Sequence, residues 1–167
     1  RQADQHQQLG TPQEGTKVSS SLPPPLGEGR GGGTAIPKPL QALAALFLLA
    51  SLAHFIHNAE YIAYYPGMPG WLTREKVYLF WLAFASPGVV AVICARLGRP
   101  LQALVFLAVY GALGLDALGH YALALCSEHT LVANITIWAE AVTGLVLCVA
   151  SVAVLGWRAM PGLACTR

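Results

Sequence analysis

Four apolar stretches, at about 40–65, 76–96, 100–126 and 131–157, constrain this chain more than any other feature. A hydrocarbon core of about 30 Å is crossed by roughly 20 helical residues, and each stretch reaches that length. No water satisfies backbone N–H and C=O groups inside a bilayer, so segments this long are helices, whereas a barrel strand needs only about 10 residues. With 55% of its 167 residues hydrophobic, 11% charged and a mean hydropathy of +0.53, the chain also falls outside the range of ordinary soluble domains. The expected fold is an all-α membrane protein. Short connections at Pro66–Gly70, Leu97–Arg99 and Ser127–Thr130 make neighbouring helices antiparallel, giving an up-down-up-down four-helix transmembrane bundle.

The chain divides by composition into three parts: a tail over 1–39, the membrane domain over 40–158 and a short tail over 159–167. The first is rich in Gln, Ser, Gly and Pro, has no period that buries a face, and is expected to be disordered. Its polarity does not fit a signal peptide. Arg30, Lys38, Arg96, Arg99 and Arg158 flank one side of the spans, against Arg74 and Lys76 on the other. That asymmetry predicts an integral, multi-pass protein with both termini cytoplasmic. A net charge of +2 without a basic run excludes an electrostatic footprint for nucleic acid. Cys94, Cys126, Cys148 and Cys165 show no C-x-x-C pairing, so neither a disulfide framework nor a thiolate zinc site is expected. The sequence is silent on oligomeric state.

Function is carried by what interrupts the apolar stretches. Glu60, Asp116 and Glu140, with His54, His57 and His120, fall within the expected spans. An ionisable group there costs a few kcal/mol or more unless it is neutral, paired or facing water, and so marks a functional site by default. At about 1.5 Å of rise per residue, His57 lies about 12 Å from the non-cytoplasmic end of its helix, Asp116 about 15 Å and Glu140 about 14 Å. Spacing also aligns faces. His54, His57, Asn58 and Tyr61 follow i, i+3, i+4, i+7; Asp116 and His120 are i, i+4; Thr136, Glu140 and Thr143 are i, i+4, i+7. Glu60 stands about 60° round from His57, at the edge of that face. The second helix offers no buried charge and is expected to close the site with aromatic bulk from Tyr78 and Trp81.

Imidazole and carboxylate groups from facing helices suit a divalent metal ion, zinc, iron or manganese, with His54, His57, Asp116, His120, Glu140 and Glu60 as candidate ligands. Carboxylates beside the histidines favour a bare ion over haem. A metal-dependent enzyme acting on a lipophilic substrate lies within that chemistry. Two other readings use the same residues. Interhelical hydrogen bonds could do no more than fix register. A polar cavity without metal could instead bind a lipid-like or sterol-like amine, or pass protons or solute. Gly111, Gly114 and Gly119 read as close-packing positions, and Tyr61, Tyr64 and Tyr65 as interfacial anchors. His129 reads as a solvated loop residue, and Asn134-Ile135-Thr136 as a glycosylation acceptor sequence lodged in a helix.

At His57-Asn58-Ala59-Glu60-Tyr61, the chain resembles the uncharacterised integral membrane family defined by a His-x-x-Glu-Glu motif, with Tyr61 where that family carries its second Glu. The resemblance implies a membrane location and a role for His57 and Glu60. It implies no activity.

Overall fold

The computed structural model of the protein describes residues 36–160; of the tails expected over 1–39 and 159–167, residues 1–35 and 161–167, with Cys165, lie outside the described residues. Four helical spans long and apolar enough to cross a membrane occupy Lys38–Glu60, Arg74–Arg96, Pro100–Leu123 and Leu131–Ala159. Among the described residues there is no strand. We label the α-helices α1 (Lys38–Glu60), α2 (Arg74–Arg96), α3 (Pro100–Leu113), α4 (His120–Leu123) and α5 (Leu131–Ala159). Neighbours pack in a closed order, α1 against α2, α2 against α3, α3 against α5 and α5 against α1, which makes a four-helix bundle. Leu49, Leu79, Val89, Ile135 and Val149 point outward from it as a lipid-compatible surface.

Local chemistry sets the helix limits. Proline occupies the first turn of α1 and of α3, where its missing N–H has no intrahelical partner to lose. Thr73 caps α2 by accepting from the Lys76 N–H at 3.4 Å, and Thr130 caps α5 by accepting from the Ala133 N–H at 3.2 Å. α2 ends at Arg96, and Gly98, with a φ of +69°, turns the chain two residues later. The Arg99 N–H then bonds the Cys94 carbonyl at 2.9 Å, satisfying an otherwise orphaned acceptor. Inside α2, Pro87 deprives the Ala83 carbonyl of its helical donor, and the Ser86 hydroxyl takes that place at 2.7 Å. Thr130→Ala is expected to lower stability by about 1 kcal/mol, read as a lower unfolding temperature of the detergent-solubilised protein.

The third span differs from the continuous helix expected over 100–126. It runs as α-helix to Leu113, tightens into a 3-10 stretch over Gly114–Gly119, resumes for one turn as α4 and ends at Leu123. Gly114 and Gly119 bracket the tightened stretch, and glycine is the weakest α-former after proline. The consequence reaches the site: at three residues per turn, residues four apart no longer share a face. Asp116 is accordingly exposed while His120 is buried. The first span likewise ends at Glu60, five residues before the expected limit, and a 3-10 turn over Ile62–Tyr64 leads into the following loop.

Two glycines set the α3–α5 crossing. A Cβ on Gly111 would stand 2.5 Å from the Gly144 carbonyl oxygen, and one on Gly144 would stand 2.6 Å from the Gly111 oxygen. Gly114 is filled by the Phe47 ring in the same way, whereas Gly119 meets nothing within 4 Å. Close packing is therefore the role of Gly111 and Gly114 and not of Gly119.

Candidate functional site

α1, the end of the third span and α5 bring His54, His120 and Glu140 together as a buried polar cluster. His54 and Glu140 are each 2% exposed, with His54 Nε2 3.8 Å from Glu140 Oε2. Thr136 donates its hydroxyl proton to the Ala133 carbonyl at 3.0 Å, so its oxygen is the acceptor for His54 Nδ1–H at 3.3 Å. That fixes the imidazole: Nδ1 carries a proton and Nε2 faces the carboxyl group. Ser51, one turn before His54, lies against the same carboxyl group, while Thr143 turns its hydroxyl to the Ala139 carbonyl of its own helix at 2.6 Å.

The His120 ring centroid is 5.2 Å from that of His54. Asn58 Nδ2 donates to His120 Nε2 at 3.2 Å, which places the His120 proton on Nδ1. His120 Nδ1, Asn58 Oδ1 and Glu140 Oε2 are all buried without a hydrogen-bond partner among the described residues. Unmet buried polar atoms cost about 1–3 kcal/mol each and are uncommon in a finished core. Three such atoms belong to the residues of this cluster and to Asn58 beside it.

Tyr65 and His129 are corrections to the sequence reading. Tyr65 is buried, its ring 4.9 Å from His120 and 6.1 Å from His129, and its hydroxyl shares a hydrogen bond with His57 Nδ1 at 2.7 Å. The signal for this is local. Tyr65 precedes Pro66, which forces an extended backbone (φ −93°, ψ 110°), and Gly67 follows with φ +74°. A Cβ on Gly67 would lie 2.9 Å from the Leu123 carbonyl oxygen, so the loop folds closely over the third span. His129 is buried too, its Nδ1 3.0 Å from the Leu125 carbonyl, and it packs on Tyr121. Tyr61 and Tyr64 are exposed, as interfacial anchors are. Burial pushes the Tyr65 hydroxyl from its ordinary 10 up to about 12. A raised folded-state value means that its contribution to stability is complete below about pH 10 and declines as the pH climbs toward about 12. Tyr65→Phe is expected to remove that alkaline step from a stability-against-pH profile.

Glu60 is not part of the cluster. It is exposed and accepts from Arg74 Nη2 at 2.6 Å, Arg74 Nε at 2.9 Å and the Tyr78 hydroxyl at 2.7 Å. The 60° offset from His57 carries it toward α2 and out of the bundle interior, and His57 turns instead to Tyr65. The two ends of the His-x-x-Glu stretch thus serve different partners. Asn134 is engaged as well, accepting from the Tyr121 hydroxyl at 2.8 Å and donating to the Cys126 carbonyl at 3.1 Å. Cys94, Cys126 and Cys148 are free.

The cluster opens into a cavity of about 350 Å³. His54, Asn58 and His120 form its buried polar end, and Asp116 stands on its exposed side. Phe55, Trp71, Leu72, Phe80 and Phe84 supply apolar walls, so α2 does close the site with aromatic bulk, through Phe80 and Phe84 in place of Tyr78 and Trp81. The metal centre expected from the sequence has no matching geometry: among the described residues, no group of three His, Cys, Asp or Glu stands where one ion could be held. Glu60 has left the set, the 3-10 stretch separates Asp116 from His120, and His57 is turned to Tyr65. Comparison with family models, with curated proteins and with solved structures gave no match.

Proposed function

We propose that this chain is a multi-pass membrane protein whose intramembrane pocket binds a compact lipophilic amine, with its termini on the cytoplasmic side and its spans in up-down-up-down order. The observation that carries this reading is the pocket's division into an apolar wall and a buried polar end that holds an unmet acceptor, Asn58 Oδ1. A volume of about 350 Å³ lies at the small end of ligand sites, which run from about 300 to 1,000 Å³. Asn58 Oδ1 is a buried acceptor without a donor, and Asp116 supplies a carboxylate on the open side. A protonated amine satisfies both. The faces of Phe55, Phe80, Phe84 and Trp71 suit the same cation and its hydrocarbon body. His54, held by Thr136 and facing Glu140, positions the polar end of the pocket without being needed as a metal ligand.

An adamantyl amine is the probe of choice for a pocket of this size. It is expected to raise the unfolding temperature of the purified protein in a concentration-dependent way. Adamantanol of the same shape should do so weakly, and Asp116→Asn should bring the amine down to the level of the alcohol. Equal effects of amine and alcohol on the wild type, or an amine effect untouched by Asp116→Asn, would contradict the proposal.

A divalent ion held by His54, His120 and Glu140 is the second reading, favoured by one observation: these three groups do meet, and His120 Nδ1 and Glu140 Oε2 are both without partners. It requires these side chains to converge further than they do. Metal analysis of the purified protein separates the two readings, because a stoichiometric ion lost in His120→Ala belongs to this second reading alone.

A further inference from the structure

A second cavity, of about 610 Å³, lies away from the polar cluster in a groove between α1, α2 and α3. Its walls are Ala44, Leu48, Gly88 and Leu107, and Tyr110 closes one side, packed against Gly88 so tightly that a Cβ there would stand 2.9 Å from the ring. Tyr110 is 4% exposed, and its hydroxyl has no hydrogen-bond partner among the described residues. At the other end, Arg96 is the one charged residue of the lining among the described residues. It is exposed and makes no hydrogen bond or ion pair among the described residues. Gln41 also borders the groove, but its amide already donates to the Ile36 carbonyl at 2.7 Å.

We infer that this groove holds a phospholipid with an anionic headgroup, its phosphate on Arg96 and an acyl chain lying along α2 toward Gly88 and Tyr110. The nine residues from Gly88 to Arg96, eight helical rises, give the groove a length of about 12 Å, running from inside the span to its end. A helix about 10 Å across would need roughly 900 Å³ over that length, more than the cavity offers, so a hydrocarbon chain fits where a partner helix does not. Arg96 and Arg99 follow one another at the α2–α3 turn, and Ile36, two residues before Lys38, borders the same groove, so three cations gather at one end of the bundle. A basic pocket between spans at the membrane surface suits an anionic lipid, and guanidinium suits phosphate in particular. Among the described residues, no acidic side chain lines the groove to oppose it. The inference does not depend on the amine pocket, with which this groove shares no lining residue.

Native mass spectrometry of the full chain, titrated with phosphatidylglycerol or with phosphatidylcholine of identical chains, tests this. Wild type is expected to retain phosphatidylglycerol about tenfold more tightly, because the choline cation of phosphatidylcholine already compensates the phosphate that phosphatidylglycerol leaves for Arg96. Arg96→Gln should erase the preference, and Arg99→Gln, which removes an exposed cation outside the groove, should leave most of it. Ala45→Trp, which fills the groove from its exposed side, should weaken retention of both lipids. Equal retention of the two lipids by the wild type, or equal losses in Arg96→Gln and Arg99→Gln, would overturn the inference, as would an Ala45→Trp protein that keeps both lipids at full strength.

Discussion

Gly111→Val is expected to keep the bundle from forming its native α3–α5 crossing, with a loss of at least about 3 kcal/mol. The reason is that each glycine meets backbone. A Cβ at 111 confronts the Gly144 oxygen at 2.5 Å and the Cys148 nitrogen at 2.6 Å, neither of which can rotate aside as a side chain can. The helices must separate, and separating them opens the contacts that Phe47 makes over Gly114 and Gly144. Against a net stability of about 5–15 kcal/mol, that is a large fraction. Gly119→Ala serves as the control, since nothing lies within 4 Å of its Cβ position and its substitution should be tolerated. Monodisperse yield and reversible denaturant unfolding in detergent check both: a Gly111→Val protein that elutes and unfolds as the wild type does would mean that the crossing is wrongly placed.

The second large effect concerns His54 and Glu140. Removing one partner of a buried polar pair leaves the other's polar atoms unmet, which costs about 1–3 kcal/mol, whereas replacing both with apolar groups of similar shape is often close to neutral. His54→Leu should therefore be destabilising, because it strips Glu140 of its facing group and leaves the Thr136 oxygen without its donor. The double variant His54→Leu/Glu140→Leu should recover much of the loss, giving a coupling of about 2 kcal/mol in a double-mutant cycle. Additive effects would mean that the 3.8 Å approach of the two groups has no energetic content.

These residues also show how far the sequence could be read. Fold class was legible because membrane spans obey length and hydropathy, and the four helices fall within a few residues of the stretches expected. His54, His120 and Glu140 were legible because depth along straight helices is simple arithmetic, and the structure does bring them together. The face of Asp116 was not, since a 3-10 stretch changes the angle per residue and nothing but Gly114 and Gly119 announces it. Glu60 was misjudged for the opposite reason: its offset from His57 was visible, but its partner Arg74 lies across a loop whose path periodicity does not describe. Tyr65 and His129 were misread because residues in loops are taken by default as solvated, whereas here the Tyr65–Gly67 turn folds back over the polar cluster.

The central claim is that the space between α1, α2 and the third span is a binding site for a lipophilic amine, with Asn58 at its buried polar end and Asp116 on its open side. Photo-crosslinking with a diazirine-bearing adamantyl amine, followed by peptide mapping, tests it most directly. The account predicts adducts on the segments around Phe55, Phe84 and Leu123, all competed away by excess unlabelled amine. Labelling confined to outward-facing positions such as Leu49 and Val149, undiminished by competitor, would contradict it.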